Sequence, residues 1–241
     1  MPLPQLFRCN AKSTIAKRER RKDARPGELL AAALDLFVEK GFAATRAEEV
    51  AQRAGVSKGT LFLYFASKEE LFKAVVRDNI SSHYPGWHDA LKAFSGSTAD
   101  MLRYCVKSWW ESVGSTQASG ISKLMMTEGA HFPDLVMFYR QEVIEPGQKI
   151  VETILQRGVD LGEFRPMDMK YAVYSVLSPM LFLVTWKHSQ DTALVMGSQF
   201  DPEEFLAMQI DTLLYGMCVL GAKPSATKMS PHRSTPQKGK I

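Results

Sequence analysis

The feature that most restricts the fold of this chain is a dense series of helix start and stop signals between residues 26 and 80. Residues 45–48 (TRAE) and 67–70 (SKEE) each place a hydroxyl residue three positions before a glutamate, the capping-box pattern that opens a helix. Ser57 follows a tight turn at residues 54–56 and is a further N-cap candidate. Gly41 suits the left-handed position just after a helix. Short helices in such close succession leave little room for a strand.

These signals predict four short helices, followed by longer ones. The first covers residues 28–40, with Leu30, Leu34 and Phe37 on one face, and the next three begin at Arg46, at Ser57 and at Ser67. Residues 81–98 contain proline and several glycines and are expected to be irregular. Longer helices are predicted at about 99–113, 117–128, 133–159, 169–188 and 202–220, with a kink at Pro179.

The chain is therefore expected to be all-α, with a small N-terminal domain at residues 26–76 and a larger helical domain at residues 77–221. Charge separates these from two basic ends. Residues 1–25 hold eight Lys or Arg against two acids, a net +6, and residues 222–241 hold five bases and no acid, a net +5. The remainder, with 17 bases and 24 acids, carries −7. Both ends are expected to be disordered, either merely solubilising or in loose contact with a polyanion.

Composition argues against several classes of protein. The sequence contains no apolar run of about eighteen residues, so a membrane span is not expected. The N-terminus lacks the apolar core of a secretory signal. Three scattered cysteines indicate a reduced, cytoplasmic protein. The five histidines show no metal-ligand spacing, and phosphate loops and nucleophile elbows are missing. We therefore expect no catalytic residues, no metal and no cofactor.

The segment GVSKGTLFLYFASKEELF, residues 55–72, predicts a helix-turn-helix, whose second helix lies in the DNA major groove. Lys58 supplies charge, Gly59 permits close approach of the backbone, and Thr60 can pair with a base edge. Leu61 and Phe65, four residues apart, should face the domain core. Three side chains are left for the groove and the DNA backbone: Phe62, Leu63 and Tyr64. The free amides of residues 67–70 and the charge of Lys68 together predict a phosphate clamp.

Residues 26–76, including LFVEKGFAATRAEEVAQRAGVSKGTLFLYFASKEELF, resemble the DNA-binding domain of the TetR family of bacterial transcriptional repressors. The resemblance implies a homodimer that binds a palindromic double-stranded operator, and a C-terminal domain whose small-molecule effector releases DNA. The family's DNA-contacting positions correspond here to Arg46, Ser57, Lys58, Gly59, Thr60, Phe62, Leu63, Tyr64 and Lys68. Many members have tyrosine at position 62 or 63, so two hydroxyls that would contact phosphate are missing. The C-terminal stretches EGAHFPDLVMFYRQEV and RGVDLGEFRP resemble AcrR-like regulators.

The larger domain should hold the effector and the dimer interface. Methionines and aromatic residues predict an adaptable, lipophilic pocket. The candidates for its wall are Met101, Cys105, Trp109, Met125, Phe138 and Met180. The last two helices are expected to pack with their copies into a four-helix interface. Its candidate residues on the last helix are Phe205, Met208, Leu213 and Met217.

Two other readings of the sequence remain open. In one, the protein is an all-α enzyme that acts on a lipophilic substrate and uses the helix-turn-helix only structurally. In the other, it is a regulator without an effector, which acts constitutively or as an activator. Turnover of a bound compound would favour the enzyme, whereas release of DNA on titration would favour the ligand-responsive repressor.

Overall fold

The computed structural model describes the backbone of residues 11–189 and 200–218, and the side chains from residue 26 onward within those ranges. All regular secondary structure there is helical, which confirms the predicted fold class; the β-type pairing in these ranges is one isolated bridge between Phe164 and Cys218. The predicted basic tail at residues 222–241 lies outside the described residues.

Eleven α-helices are described in these ranges. In chain order they are α1 (Ala11–Ala44), α2 (Ala47–Arg53), α3 (Lys58–Tyr64), α4 (Lys68–Asn79), α5 (Tyr84–Lys92), α6 (Thr98–Trp109), α7 (Ser119–Glu128), α8 (Pro133–Tyr139), α9 (Glu145–Asp160), α10 (Met169–Lys187) and α11 (Pro202–Met217). Short 3₁₀ turns at Ser81–His83 and Gly129–His131 precede α5 and α8, and π-helical turns at Trp110–Gly114 and Arg140–Ile144 follow α6 and α8.

The first helix differs from the expectation at both ends. It begins at Ala11, so residues 11–25, expected to be disordered, are helical; alanine, lysine, arginine and glutamate in this stretch are strong helix formers. Pro26 lies inside the helix. Gly41 adopts φ 85° and ψ 169°, a positive-φ conformation that suits glycine but is more extended than the predicted left-handed helical one. The helical geometry is interrupted there.

The predicted capping box at residues 45–48 is shifted by one residue. Arg46 is the N-cap of α2, and its backbone N–H donates to the Glu49 carboxylate at 3.3 Å. Thr45 is buried instead, and its hydroxyl lies 2.7 Å from the Gly41 carbonyl and 3.1 Å from that of Leu36. The caps at Ser57 and Ser67 are confirmed, since each hydroxyl oxygen accepts the backbone N–H three residues later at 3.1 Å.

The expectation of an irregular segment at residues 81–98 is wrong over most of its length, because Tyr84–Lys92 forms α5. Pro85 stands in the first turn of that helix, where its missing N–H costs no intrahelical hydrogen bond. Trp87 and Leu91 pack against the hydrophobic core formed by α6, α9, α10 and α11. This packing stabilises α5 although its sequence has weak intrinsic helix propensity. The long helix predicted at 133–159 is divided by the π-helical turn Arg140–Ile144, and α10 runs through Pro179.

Two hydrophobic cores organise the molecule. The first joins α1–α4 to α7 and α8, and in it the buried rings of Phe37, Phe42 and Phe72 contact one another in tilted and edge-to-face pairs. The second lies between α6, α9, α10 and α11. Trp87 and Trp109 pack against both cores. The N-terminal helices therefore share a continuous core with α7 and α8, so packing does not stop at residue 76, where the domain boundary was expected.

Candidate nucleic-acid interface

The turn between α2 and α3 is fixed by glycine and by backbone hydrogen bonds. Gly55 has φ 68°, and the backbone N–H of Val56 donates to the Ala51 carbonyl at 2.9 Å. Leu61 of α3 is fully buried in the first core, and Phe65 packs against that core, as predicted. This arrangement is a helix-turn-helix in which the outer side of α3 is left to solvent.

The solvent-exposed side of α3 is apolar to an unusual degree. Leu63 is 84% exposed, while Phe62 and Tyr64 are 40% and 39% exposed. The space beside the Gly59 Cα is also unoccupied, because an added Cβ would meet nothing closer than the Ser57 hydroxyl at 3.8 Å. Packing inside the protein therefore does not explain these residue types. We refer to residues 57–60 and 62–64 together as the reading surface.

The two aliphatic hydroxyls of the reading surface, those of Ser57 and Thr60, are hydrogen-bonded to each other. Ser57 Oγ accepts from the Thr60 backbone N–H and lies 2.9 Å from Thr60 Oγ1. A base that pairs with the Thr60 hydroxyl must therefore compete with Ser57. The structure places both residues where the sequence predicted, in the first turn of α3.

The cation expected to clamp phosphate, Lys68, is engaged within the protein. Its ammonium donates to the carbonyl oxygens of Phe42 at 2.8 Å, Thr45 at 3.1 Å and Ala43 at 3.4 Å. It also lies 4.3 Å from the centroid of the Phe42 ring. An ammonium has three donors, so a direct phosphate contact would require Lys68 to give up one of these carbonyls.

Most other cations of the N-terminal domain are also paired. Residues 26–76 contain six Lys or Arg and seven Asp or Glu, a net charge of −1. Four of these cations form ion pairs: Lys40 with Glu49, Arg53 with Glu39, Lys58 with Glu48 and Lys73 with Glu70. Among the described residues, Arg46 alone of the six has neither a carboxylate nor a carbonyl partner for its side chain. It is exposed beside the start of α2.

Glu48 was not among the residues predicted from the sequence. The hydrogen bond from Lys58 holds the pKa of the Glu48 carboxyl below its usual value, so this group is ionised at neutral pH. The signal that could have found it is its position in the first turn of α2, the helix that the glycine turn brings against α3.

Two sequence profiles match the chain over these same elements. One, for bacterial regulatory proteins of the tetR family, covers residues 29–75, and the other, for the C-terminal domain of AefR-like transcriptional repressors, covers residues 100–214. The chain belongs to the TetR family.

Relatives and solved structures agree with this family. The regulator RutR of Escherichia coli (strain K12) is 45% identical over 84 residues, which are 35% of this chain and 38% of RutR. The chain thus spans well under half the length of that relative. The repressor KstR2 of Mycolicibacterium smegmatis is 29% identical over 61% of this chain and 73% of KstR2. The regulator FadR from Bacillus subtilis, in complex with stearoyl-CoA, superposes with a TM-score of 0.66 at 17% identity, over 78% of this chain and 97% of FadR.

In this TetR-family chain, the predicted effector residues are divided between the two cores. Met125 and Phe138 belong to the first core, whereas Met101 and Met180 belong to the second, with Cys105 packed against it. Trp109 touches both. The six residues are therefore distributed over both cores, and Trp109 marks the seam at which the two groups meet.

Polar groups near the seam were missed from the sequence. The hydroxyls of Ser122 and Tyr139 lie 2.8 Å apart, and the Tyr84 hydroxyl donates to the Val143 carbonyl at 2.6 Å. Burial raises the pKa of Tyr139 to about 12 and that of Cys105 to about 12, so both remain neutral at physiological pH. Single serines and tyrosines in helical patterns gave no signal that tertiary packing would bring these hydroxyls to their partners.

A hydroxyl–imidazole pair joins the start of α7 to the end of α10. Ser119 Oγ lies 2.8 Å from His188 Nε2, but Ser119 is fully buried and lies 2.9 Å from the Thr116 carbonyl. Burial and the neighbouring Lys187 and Lys123 lower the pKa of His188 to about 4. Within the described ranges, groups of His, Cys, Asp and Glu suited to a metal ion do not occur. No helix of these ranges is both long and apolar enough for a bilayer.

The faces of α10 and α11 differ from the predicted dimer contacts. Of the four residues expected on α11, Met208 is exposed, Phe205 and Leu213 are half-buried, and Met217 is buried in the second core. Other large apolar side chains are exposed on these two helices and were missed: Tyr171, Tyr174, Leu181 and Tyr215. Met208 and Tyr215 are seven residues apart, which places them on one side of α11.

Proposed function

We propose that this TetR-family chain is a homodimeric transcriptional regulator that represses from a palindromic operator in the cytoplasm and is released by a lipophilic small molecule. The observation that carries the proposal is the reading surface, an N-capped helix fixed by the buried Leu61 that presents Leu63 almost fully to solvent. An exposed leucine is unfavourable in water but can contact a thymine methyl group in the major groove. The relative KstR2 is named a transcriptional repressor, which supports repression rather than activation.

The dimer is proposed from α10 and α11. Their exposed tyrosines, Leu181 and Met208 form an apolar surface that a second copy would bury, in the manner of a four-helix interface. A two-fold dimer places two α3 helices in successive major grooves, and this symmetry is the reason for expecting a palindromic operator.

The effector is proposed to occupy the seam between the two cores, near Trp109. The six candidate wall residues are all uncharged, and the hydroxyls of Ser122 and Tyr139 offer neutral hydrogen bonding nearby. A lipophilic, neutral or weakly polar ligand fits this chemistry. The stearoyl-CoA bound to FadR, a protein of the same fold, is consistent with a long-chain acyl compound.

Release of DNA requires that the seam communicate with α3. Helix α7 supplies contacts at both of its ends. At its start, Gly120 lies against Val38 of α1 and against His188, which caps α10. At its end, the Glu128 carboxylate accepts the backbone N–H of Ala43, in the last residues of α1 after the interruption at Gly41, at 3.0 Å. A ligand that shifts α7 would therefore bias the position of the DNA-binding helices.

A selection experiment tests the proposed function. Wild-type protein would be used to enrich duplexes from a random library, and the affinity for an enriched duplex would be compared with that for a shuffled duplex of equal length. We expect a palindromic consensus, and we expect Leu63→Ala to weaken the enriched duplex by about 1 kcal/mol without changing thermal stability. If no sequence is enriched, the DNA-binding proposal is wrong. Turnover of a lipophilic compound would favour the enzyme instead.

A further inference from the structure

Lys58 is the sole cation of α3, and its charge is not free. In the unbound protein its ammonium pairs with Glu48 of α2, and it lies 5.7 Å from the centroid of the Phe62 ring. Both side chains of the pair are about half exposed, at 53% for Lys58 and 55% for Glu48. The pair is therefore accessible to DNA and open to exchange.

The position of the pair sets up a competition. In a helix-turn-helix the first helix crosses the DNA backbone while the second enters the groove, so Glu48 on α2 lies close to phosphates when α3 is docked. Lys58 cannot bind a phosphate or a guanine edge fully while it neutralises Glu48. When Lys58 leaves, an unpaired carboxylate remains beside the DNA, and like charges repel there.

The two kinds of DNA complex resolve this competition differently. On a non-specific duplex the protein is held loosely by phosphates, so exchanging one ion pair for another gains little and the Lys58–Glu48 pair is retained. On a matched duplex the reading surface fixes α3 in the groove, and a well-placed contact of Lys58 offsets the loss of Glu48. Because residues 26–76 carry a net charge near zero, the availability of a single cation such as Lys58 has a large effect on DNA affinity.

We propose that Glu48 limits the affinity of the protein for DNA, because it withholds Lys58 from non-specific phosphates and because Lys58 must leave it on a matched duplex. The proposal rests on the DNA-binding function proposed above. Removal of the Glu48 carboxylate should make the protein bind DNA more tightly, so this residue does not contribute to DNA affinity.

The test compares Glu48→Gln with a matched control, Glu39→Gln. Glu39 is bonded to Arg53 at 2.7 and 3.0 Å, so the control removes the same charge and an ion pair of the same domain, but one that does not involve α3. Each variant would be titrated with an enriched duplex and with a shuffled duplex at several salt concentrations. Glu48→Gln would also be measured in a Lys58→Met background.

For Glu48→Gln we expect shuffled DNA to bind about two- to fivefold more tightly, the range of an exposed ion pair, with a salt slope steeper by about 0.9. The enriched duplex should tighten by at least as much, because Lys58 no longer has to leave Glu48. Its salt slope should not change, because Lys58 already contacts DNA there. The Lys58→Met background should abolish the effect. An enriched duplex that binds no more tightly, an effect that survives Lys58→Met, or the same behaviour in Glu39→Gln would overturn the proposal. Failure to enrich any duplex would instead contradict the DNA-binding function.

Discussion

At the scale of single residues, the engagement of Lys68 shows how one side chain fixes the geometry of the DNA-binding helices. Its ammonium bonds the carbonyl oxygens that follow the interruption of α1 at Gly41, and so connects the start of α4 to the segment before α2. Backbone carbonyls at the end of a helix otherwise need water or a cap. Lys68 therefore supports the position of α2 and α3 as a part of the fold.

This role gives a prediction for Lys68→Met, which keeps the length of the side chain but removes its charge. Because three carbonyls lose their donor, the free energy of unfolding should fall by about 1–3 kcal/mol. Lys73→Met is the control, since its ion pair with Glu70 is exposed at its acidic partner and should contribute under about 1 kcal/mol. Urea unfolding measures both. A stable variant whose operator binding loses about 0.9 of salt slope would show that Lys68 binds phosphate, as the sequence predicted.

At the scale of elements, α7 is the helix that touches both the DNA-binding helices and α10. Its final residue, Glu128, fits against Gly41 so closely that a Cβ on that glycine would overlap the carboxylate. The neighbouring rings of Phe42 and Phe132 lie 4.8 Å apart at 76°, a favourable edge-to-face contact. The last residues of α1, after Gly41, are thus held by α4 through Lys68 and by α7 through Glu128.

The prediction at this scale concerns Glu128→Ala. Loss of the acceptor for the Ala43 N–H should speed hydrogen exchange of that amide and lower operator affinity, while the second core keeps its stability. Glu128→Gln is the control, because its side-chain oxygen can still accept the hydrogen bond. Site-resolved hydrogen exchange and operator titration provide the measurements. Unchanged protection of Ala43 in the alanine variant would show that the contact does not hold the turn.

At the scale of the whole molecule, charge and apolar surface are distributed unequally. The domain that carries the reading surface has a net charge of −1, whereas residues 1–25 carry +6. Apart from Leu63, the large apolar side chains with the highest exposed fractions include Tyr215 on α11 and Tyr171 on α10. Under the proposed function, the first feature would supply long-range attraction for DNA from outside the helix-turn-helix, and the second would place the dimer interface on α10 and α11.

Deletion of residues 1–22 tests the first of these features. It removes seven bases and one acid, so binding to shuffled DNA should weaken and its salt slope should become shallower. Melting temperature should change little, because the first core begins with Leu29. A large drop in melting temperature would show that this part of α1 is docked on the protein.

Substitution of Tyr215 by aspartate tests the second. Tyr215 is 78% exposed, so Tyr215→Asp should leave the fold intact but place a charge in the proposed interface and dissociate the dimer. Met137→Asp, an exposed position on α8, is the control and should leave the mass unchanged. Light scattering after gel filtration would report the mass of each protein. A wild-type monomer, or a dimer that survives Tyr215→Asp, would contradict the proposed interface.

Local chemistry was sufficient to predict much of this protein from its sequence. The caps at Ser57 and Ser67, the turn at Gly55 and the inward Leu61 depend on residues within one turn of helix, so the helix-turn-helix could be located with its exposed and buried sides. The all-α class followed from the same short-range patterns. The reading surface was therefore available before any tertiary contact was known.

Only the tertiary structure decided how charges and apolar residues are used. Lys68 turned from an expected phosphate ligand into a donor to three carbonyls, and Glu48 gained its importance through Lys58 on the next helix. The six effector candidates separated into two cores, and Met217 proved buried where Tyr215 is exposed. The physical reason is that helical periodicity specifies which residues share a face, but not which neighbouring element that face meets. Ion pairs, seams and interfaces depend on that second choice.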